Sequence, residues 1–193
     1  MDSVSFLGCG SWGAALGNVL SRKDIPVVFW HRNSTTVDQL QRTRKHYLVE
    51  DLFFLKNVYF TNDIDYAIGA SPIIVLAIPS QSIRQLLLDN DKIFKNEKII
   101  VNVSKGIEVD SLMTLSEVIS DVYGENHRRT VVLSGPSHAE EVVKRFPTTL
   151  VAASSNEEIS KTIQKLFSNE YLRTYLNTDV KGVEIGGALK NVM

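Results

Sequence analysis

The sequence predicts an α/β protein built on a doubly wound, mostly parallel sheet. Three observations carry that expectation. Short runs rich in Val and Ile recur along the chain, and the stronger ones are nearly continuous rather than alternating, as strands covered on both faces must be. Helix-like stretches separate successive runs, which is the spacing of strand–helix–strand crossover units. Small residues follow four of the runs, where a parallel sheet gathers its ligand-facing turns.

In chain order, the first strand is expected at 3–7 (SVSFL), followed by the turn GCGSWG and a helix over 12–22. A second strand at 26–30 (PVVFW) leads into a helix over 34–46, and a weaker one at 57–61 (NVYFT) into a helix over 63–69. Strand 73–78 (IIVLAI) runs into Pro79-Ser80 and a helix over 80–89. Strand 98–103 (KIIVNV) runs into Ser104-Lys105-Gly106, with a helix over 110–122 after it. Strand 130–134 (TVVLS) opens on Gly135-Pro136-Ser137 and a helix over 138–145. Beyond 146, TTLVAAS (148–154) and EYLRTYL (170–176) flank a helix at 156–168 and extend the sheet, and a last helix starts at Asp179. The four small-residue turns all leave the carboxyl edge. There, missing side chains let a ligand approach the backbone, and the following helix N-termini offer free N–H groups to anions.

The first of these turns is the most specific. GCGSWG matches G-x-G-x-x-G between the first strand and the first helix, the context that makes the pattern a dinucleotide site and the sheet Rossmann-type. Gly8 permits the tight turn, Gly10 leaves room for a pyrophosphate, and Gly13 lets helix and strand pack closely. Cys9 is a small filler. The second strand ends in Trp30-His31-Arg32-Asn33, with no Asp or Glu to hold an adenosine ribose. A guanidinium in place of a carboxylate removes the repulsion against a 2′-phosphate, which favours NADP(H). Stacking of Arg32 on adenine would serve NAD(H) instead, and a plain solvated arginine is the third alternative.

Two lysines attract attention. Lys105 leaves its strand on the ligand edge with Gly106 behind it, and a compact cation there suits a carbonyl, hydroxyl or phosphate oxygen, against the plainer alternative of a surface lysine. In a helix from Asp179, Val183, Gly186, Gly187 and Lys190 share one face, and side chains lean toward the helix N-terminus. Lys190 then lies over two glycines that cost about 2 kcal/mol of helix propensity together. The bare face serves either a substrate or close helix packing; spacing does not choose between them.

GCGSWG, WHRN, AIPSQSIR, VSKGIE, LSGPSHAEEV and VEIGGALKNV, in this order over the whole chain, resemble the bacterial-type NAD(P)-dependent glycerol-3-phosphate dehydrogenases. The resemblance implies that Lys190 is the proton donor and acceptor and that Lys105 contacts substrate and cofactor. It implies substrate binding through Gly135 and Ser137, and cofactor contacts from Ser11, Trp12, Arg32 and Ala139. The implied reaction is hydride transfer between NAD(P)(H) and carbon 2 of glycerol 3-phosphate or dihydroxyacetone phosphate, with a depressed pKa expected at Lys190. The family has an aromatic residue at the position of His138, so that side chain is expected to fill an aromatic slot rather than to catalyse. A β-hydroxyacid dehydrogenase on the same fold, or a cofactor-binding module without activity, are the rivals.

The family also continues into an all-helical domain. Residues 1–178 are therefore expected to be the dinucleotide-binding domain and 179–193 the first helix of a substrate domain. Asn191-Val192-Met193 offers no C-cap, which suggests a truncated chain with little activity of its own. Its last helix is expected to fray or to pair with a second copy, giving a homodimer.

Composition limits the remaining classes. With 44% hydrophobic and 22% charged residues over 193, the chain has the make-up of a soluble globular protein. Lys+Arg at 21 against Asp+Glu at 22 gives no reason to expect a nucleic-acid partner. A lone Cys9 fits a reducing compartment, and neither a signal peptide nor a membrane-length apolar run is present, so a cytoplasmic location without membrane insertion is expected. His46 and His127 lie in polar stretches and are expected to be solvated, while His31 borders the adenine site. No His/Cys/Asp grouping has metal-ligand spacing, and no metal is expected.

Overall fold

The computed structural model describes residues 3–90, 98–124 and 129–190. Its strands are β1 (Val4–Leu7), β2 (Val27–Trp30), β3 (Val58–Thr61), β4 (Ile73–Leu76), β5 (Ile99–Asn102), β6 (Thr130–Ser134), β7 (Thr148–Ala153) and β8 (Leu172–Asn177). They form one sheet in the order β3-β2-β1-β4-β5-β6-β7-β8. The first six run parallel; β7 pairs antiparallel with β6, and β8 parallel with β7. The burial pattern follows from this order. Central β1 and β4 are buried at every position, whereas edge strand β3 alternates and edge strand β8 alternates only at its start before three exposed residues.

The helices are α1 (Ser11–Ser21), α2 (Ser34–Thr43), α3 (Ile64–Gly69), α4 (Ile83–Asp89), α5 (Leu115–Tyr123), α6 (Ala139–Val143), α7 (Glu157–Phe167) and α8 (Val180–Leu189). One apolar cluster joins one face of the sheet to α1, α6 and α7, and a second joins the other face to α3, α4 and α5. The sheet thus has cores on both sides, and its carboxyl edge is left for a ligand.

Several helices are shorter than the sequence predicts, α6 among them at Ala139–Val143 against 138–145. α2 stops at Thr43 because Arg44 turns left-handed at φ 56°, and Asn33 caps its start by accepting the Thr36 N–H at 3.1 Å. Residues 80–82 form a single 3-10 turn before α4 begins. The helix expected from Asp110 starts at Leu115, where Thr114 and Glu117 make a reciprocal capping box. His127 and Asn191–Met193, for which solvation and a missing cap were expected, lie outside the described residues.

Candidate active site

The glycine turn separates three demands. Gly8 has φ +113°, and a Cβ there would lie 2.3 Å from the Ala77 carbonyl oxygen. A Cβ on Gly13 would lie 2.7 Å from that of Ala77, so these two positions press the turn and α1 against the end of β4. At Gly10 a Cβ would meet nothing within 4 Å, which leaves the backbone open to a ligand. Beside it, Trp12 Nε1 is buried without a hydrogen-bond partner. A cradle bare of side chains and an orphaned donor fit a dinucleotide.

Two cavities flank this cradle and adjoin at Gly10, Ala77, Ile78 and Pro79. One, of about 630 Å³, is walled by Trp30, His31, Arg32 and Tyr47. That is the side where the sequence places adenosine, and Arg32 is exposed on its rim. The other, of about 460 Å³, contains Ser11, Trp12, Lys105, Ser137, His138, Ala139 and Lys190. The structure thus gathers the sequence-predicted residues into one trough along the sheet edge. Gly135 stands just behind it, lining with Gly186, Gly187 and Lys190 a third cavity of about 300 Å³.

Both lysines reach the same turn. Lys105 Nζ donates to the Gly135 carbonyl at 3.1 Å and lies 5.4 Å from the Trp12 ring centroid; Lys190 Nζ donates to the Ser137 carbonyl at 2.7 Å. Burial first, and the Lys190 ammonium second, lower the Lys105 amine to about 8. The adjacent glycines of α8 face different surroundings. A Cβ on Gly187 would lie 2.3 Å from Ser134 Oγ, so that glycine permits close packing on β6, while Gly186 faces open space. His138 is exposed in the cavity of about 460 Å³ and gives no side-chain cap to α6.

One expectation is corrected. His46 is not solvated but 2% exposed. Its Nδ1 faces the Leu48 and Val49 N–H groups at 3.2 and 3.0 Å, so it must be the bare nitrogen, and Nε2 donates to the Cys9 carbonyl at 3.0 Å. A run of polar neighbours hid a side chain that ties residues 46–49 to the glycine turn, and Tyr47 Oη donates to the same carbonyl at 3.2 Å. Burial lowers the His46 pKa, opposed by the Cys9 carbonyl and assisted by His31. Asn102 and Glu184 also went unmarked in the sequence. A polar residue closing the apolar run IIVN, and an acid within VEIGGALK, were the available signals.

Fold and cradle together define the class: a Rossmann-type, dinucleotide-binding domain. Residues 3–160 match the model of the family described as NAD-dependent glycerol-3-phosphate dehydrogenase N-terminus, and the chain belongs to that family. It is 41% identical to a Staphylococcus haemolyticus protein named glycerol-3-phosphate dehydrogenase [NAD(P)+], over 100% of this chain and 59% of the relative. A protein of the same name from Carboxydothermus hydrogenoformans is 42% identical over 98% of this chain and 57% of its own length. A crystal structure of glycerol-3-phosphate dehydrogenase from Coxiella burnetii superposes with a TM-score of 0.91 at 29% identity, covering 99% of this chain and 58% of that one. The chain therefore spans somewhat more than half the length of the relatives it matches. Among the described residues no helix is long and apolar enough to cross a membrane, and no His/Cys/Asp/Glu group is placed to hold a metal ion.

Proposed function

We propose that this chain forms the dinucleotide-binding part of an oxidoreductase that interconverts sn-glycerol 3-phosphate and dihydroxyacetone phosphate with NADP(H) or NAD(H). The observation that carries this reading is the convergence of Lys105 and Lys190 on the carbonyls of Gly135 and Ser137, at the end of the trough remote from Arg32. The nicotinamide, when bound, supplies or accepts the hydride at carbon 2. The chain's own part is charge and proton handling at the oxygen on that carbon. Lys190 gives that oxygen a proton in the reducing direction and removes it in the other. Lys105 stabilises negative charge on the same oxygen, and a cation half removed from water does so more strongly than a solvated one. Gly135 and Ser137 position the substrate; Gly8, Gly10, Ser11, Trp12, Gly13, Arg32 and Ala139 hold the cofactor.

Residues 1–178 are read as the cofactor domain, and 179–193 as the first helix of a helical substrate domain. Ile185 and Leu189, 40% and 52% exposed on α8, support pairing with a second chain. Supply of glycerol 3-phosphate for phospholipid synthesis in the cytoplasm is the proposed role, and the balanced charge supports a small-molecule partner rather than nucleic acid.

Calorimetry with NADPH and NADH tests the first half of the proposal, which fails if this chain binds neither. Dihydroxyacetone-phosphate-dependent NADPH oxidation by the full-length protein tests the second. Lys190→Ala is expected to lower turnover by about a hundredfold or more, and a loss of only a few-fold removes Lys190 from the reaction.

A further inference from the structure

Lys105 and Lys190 stand on different elements, yet one hydrogen-bonded chain reaches both. Glu184, within α8, is 6% exposed. Its Oε1 accepts the Ser116 N–H at 2.9 Å and Asn102 Nδ2 at 3.4 Å, and its Oε2 accepts from Ser116 Oγ. Ser116 lies in the first turn of α5, where helix N–H groups lack partners and the helix dipole is positive. No lysine or arginine among the described residues pairs with the carboxylate. Asn102, fully buried at the end of β5, turns its Oδ1 the other way and accepts the Ser104 N–H at 3.1 Å. Ser104 immediately precedes Lys105, and Lys190 closes the helix that Glu184 anchors.

A buried carboxylate is a costly way to hold a helix, because desolvation consumes most of what its hydrogen bonds return. Gly187 already lets α8 sit tightly on β6. Packing therefore does not require an acid at 184. Directional bonds do something that packing alone does not: they fix the rotation and axial register of α8 relative to β5 and α5.

We propose that Glu184 is a positioning residue, which through Ser116 and Asn102 fixes α8 against the Lys105 loop and so sets the separation of the two amines. The meaning of that separation for hydride transfer rests on the function proposed above. The coupling itself can be read on the amines without any substrate.

Lys105 is the reporter. Lys190 of α8, Glu140 and His138 at the start of α6, and the Trp12 ring of α1 face its cavity. Burial and the Lys190 charge keep its titration at about 8. The rate of acetylation of each lysine by acetic anhydride, followed against pH by peptide mass spectrometry, gives its midpoint. Glu184→Ala is expected to raise the Lys105 midpoint toward the ordinary lysine range and to slow its labelling at pH 7 by about threefold or more, with Glu184→Gln intermediate. Lys190→Met should raise the midpoint as well, and adding Glu184→Ala to it should then change nothing further. An unmoved Lys105 midpoint in a folded Glu184→Ala protein overturns the proposal. So does a Glu184→Ala effect that persists undiminished in the Lys190→Met background, because an acid with a merely structural role would act there too. If Glu184→Ala does not fold, as judged by circular dichroism, Glu184→Gln and Ser116→Ala carry the same comparison. Failure to bind NADPH or NADH would defeat the proposed function and leave this coupling standing.

Discussion

Gly8 and Gly10 belong to the same turn and answer to different demands. At Gly8 the left-handed φ of +113° and the 2.3 Å approach to Ala77 both exclude a side chain, so Gly8→Ala should destabilise the fold by about 3 kcal/mol or more. At Gly10 a methyl group has space, so Gly10→Ala should keep its urea midpoint near that of the parent and weaken NADPH binding by about tenfold or more. Equal losses of stability in the two variants would contradict this division. Lys105 gives a second test. Its folded pKa of about 8 lies below the ordinary value near 10.5, so between those two pH values the unfolded chain binds more protons than the folded one. Stability must then rise with pH across that window, as the penalty of burying the ammonium disappears. Lys105→Met should therefore raise the melting temperature most at pH 7 and by a shrinking margin toward pH 10. The tight turn at Gly8 and the close packing at Gly13 were legible in sequence because a motif fixes backbone needs. The split between Gly186 and Gly187 was not, because it depends on Ser134 from a distant strand.

Local signals mark element boundaries, but the expected helices did not follow all of them. Thr114 and Glu117 form a capping box that the sequence itself displays, but apolar spacing alone drew the expected helix back to Asp110. The residues in between form a turn closed by an Ile107–Thr114 bridge, with Leu112 at φ 58° and Glu108 paired to Arg84 at 2.9 Å. The segment after α2 was not legible at all. Its anchor, His46, packs by contacts to residue 9, far away in the chain, while its neighbours in sequence are polar. Burial lowers the folded pKa of His46 below the 6.5 of an unfolded chain. Its contribution is therefore complete above pH 6.5 and is lost as pH falls from there through the folded value. His46→Ala should cost about 2 kcal/mol at pH 7.5 and should flatten the fall of the melting temperature as pH drops below 6.5. An equally steep decline in the variant would mean that another group governs it.

Across the whole molecule, the alternation of strands and helices predicted the doubly wound sheet, but not the reversal between β6 and β7. A buried strand shows the same apolar run in either direction, so direction is set by how the connection folds, here around the short α6. The reversed pair β7 and β8, with α7, forms one flank of the molecule, and the start of the chain reaches across to it. Lys23, just beyond α1, donates its amine to the carbonyls of Lys165, Leu166 and Ser168 at 3.0, 2.6 and 3.0 Å. These groups lie at the C-terminal end of α7, where helix carbonyls lack partners and a cation is favoured. With one uninterrupted sheet and this tie between its flanks, the domain should unfold as a unit. Both tryptophans, Trp12 and Trp30, lie near the start of the chain, so their fluorescence reports that flank, whereas circular dichroism reports every helix. The two urea transitions should coincide in the parent. In Lys23→Met they should move together to a lower midpoint, by about 1–3 kcal/mol, since three helix-end carbonyls lose their donor. A dichroism transition that separates from the fluorescence transition in the parent would show that the flank built from β7, α7 and β8 folds independently, and that continuity of the sheet does not make the domain cooperative.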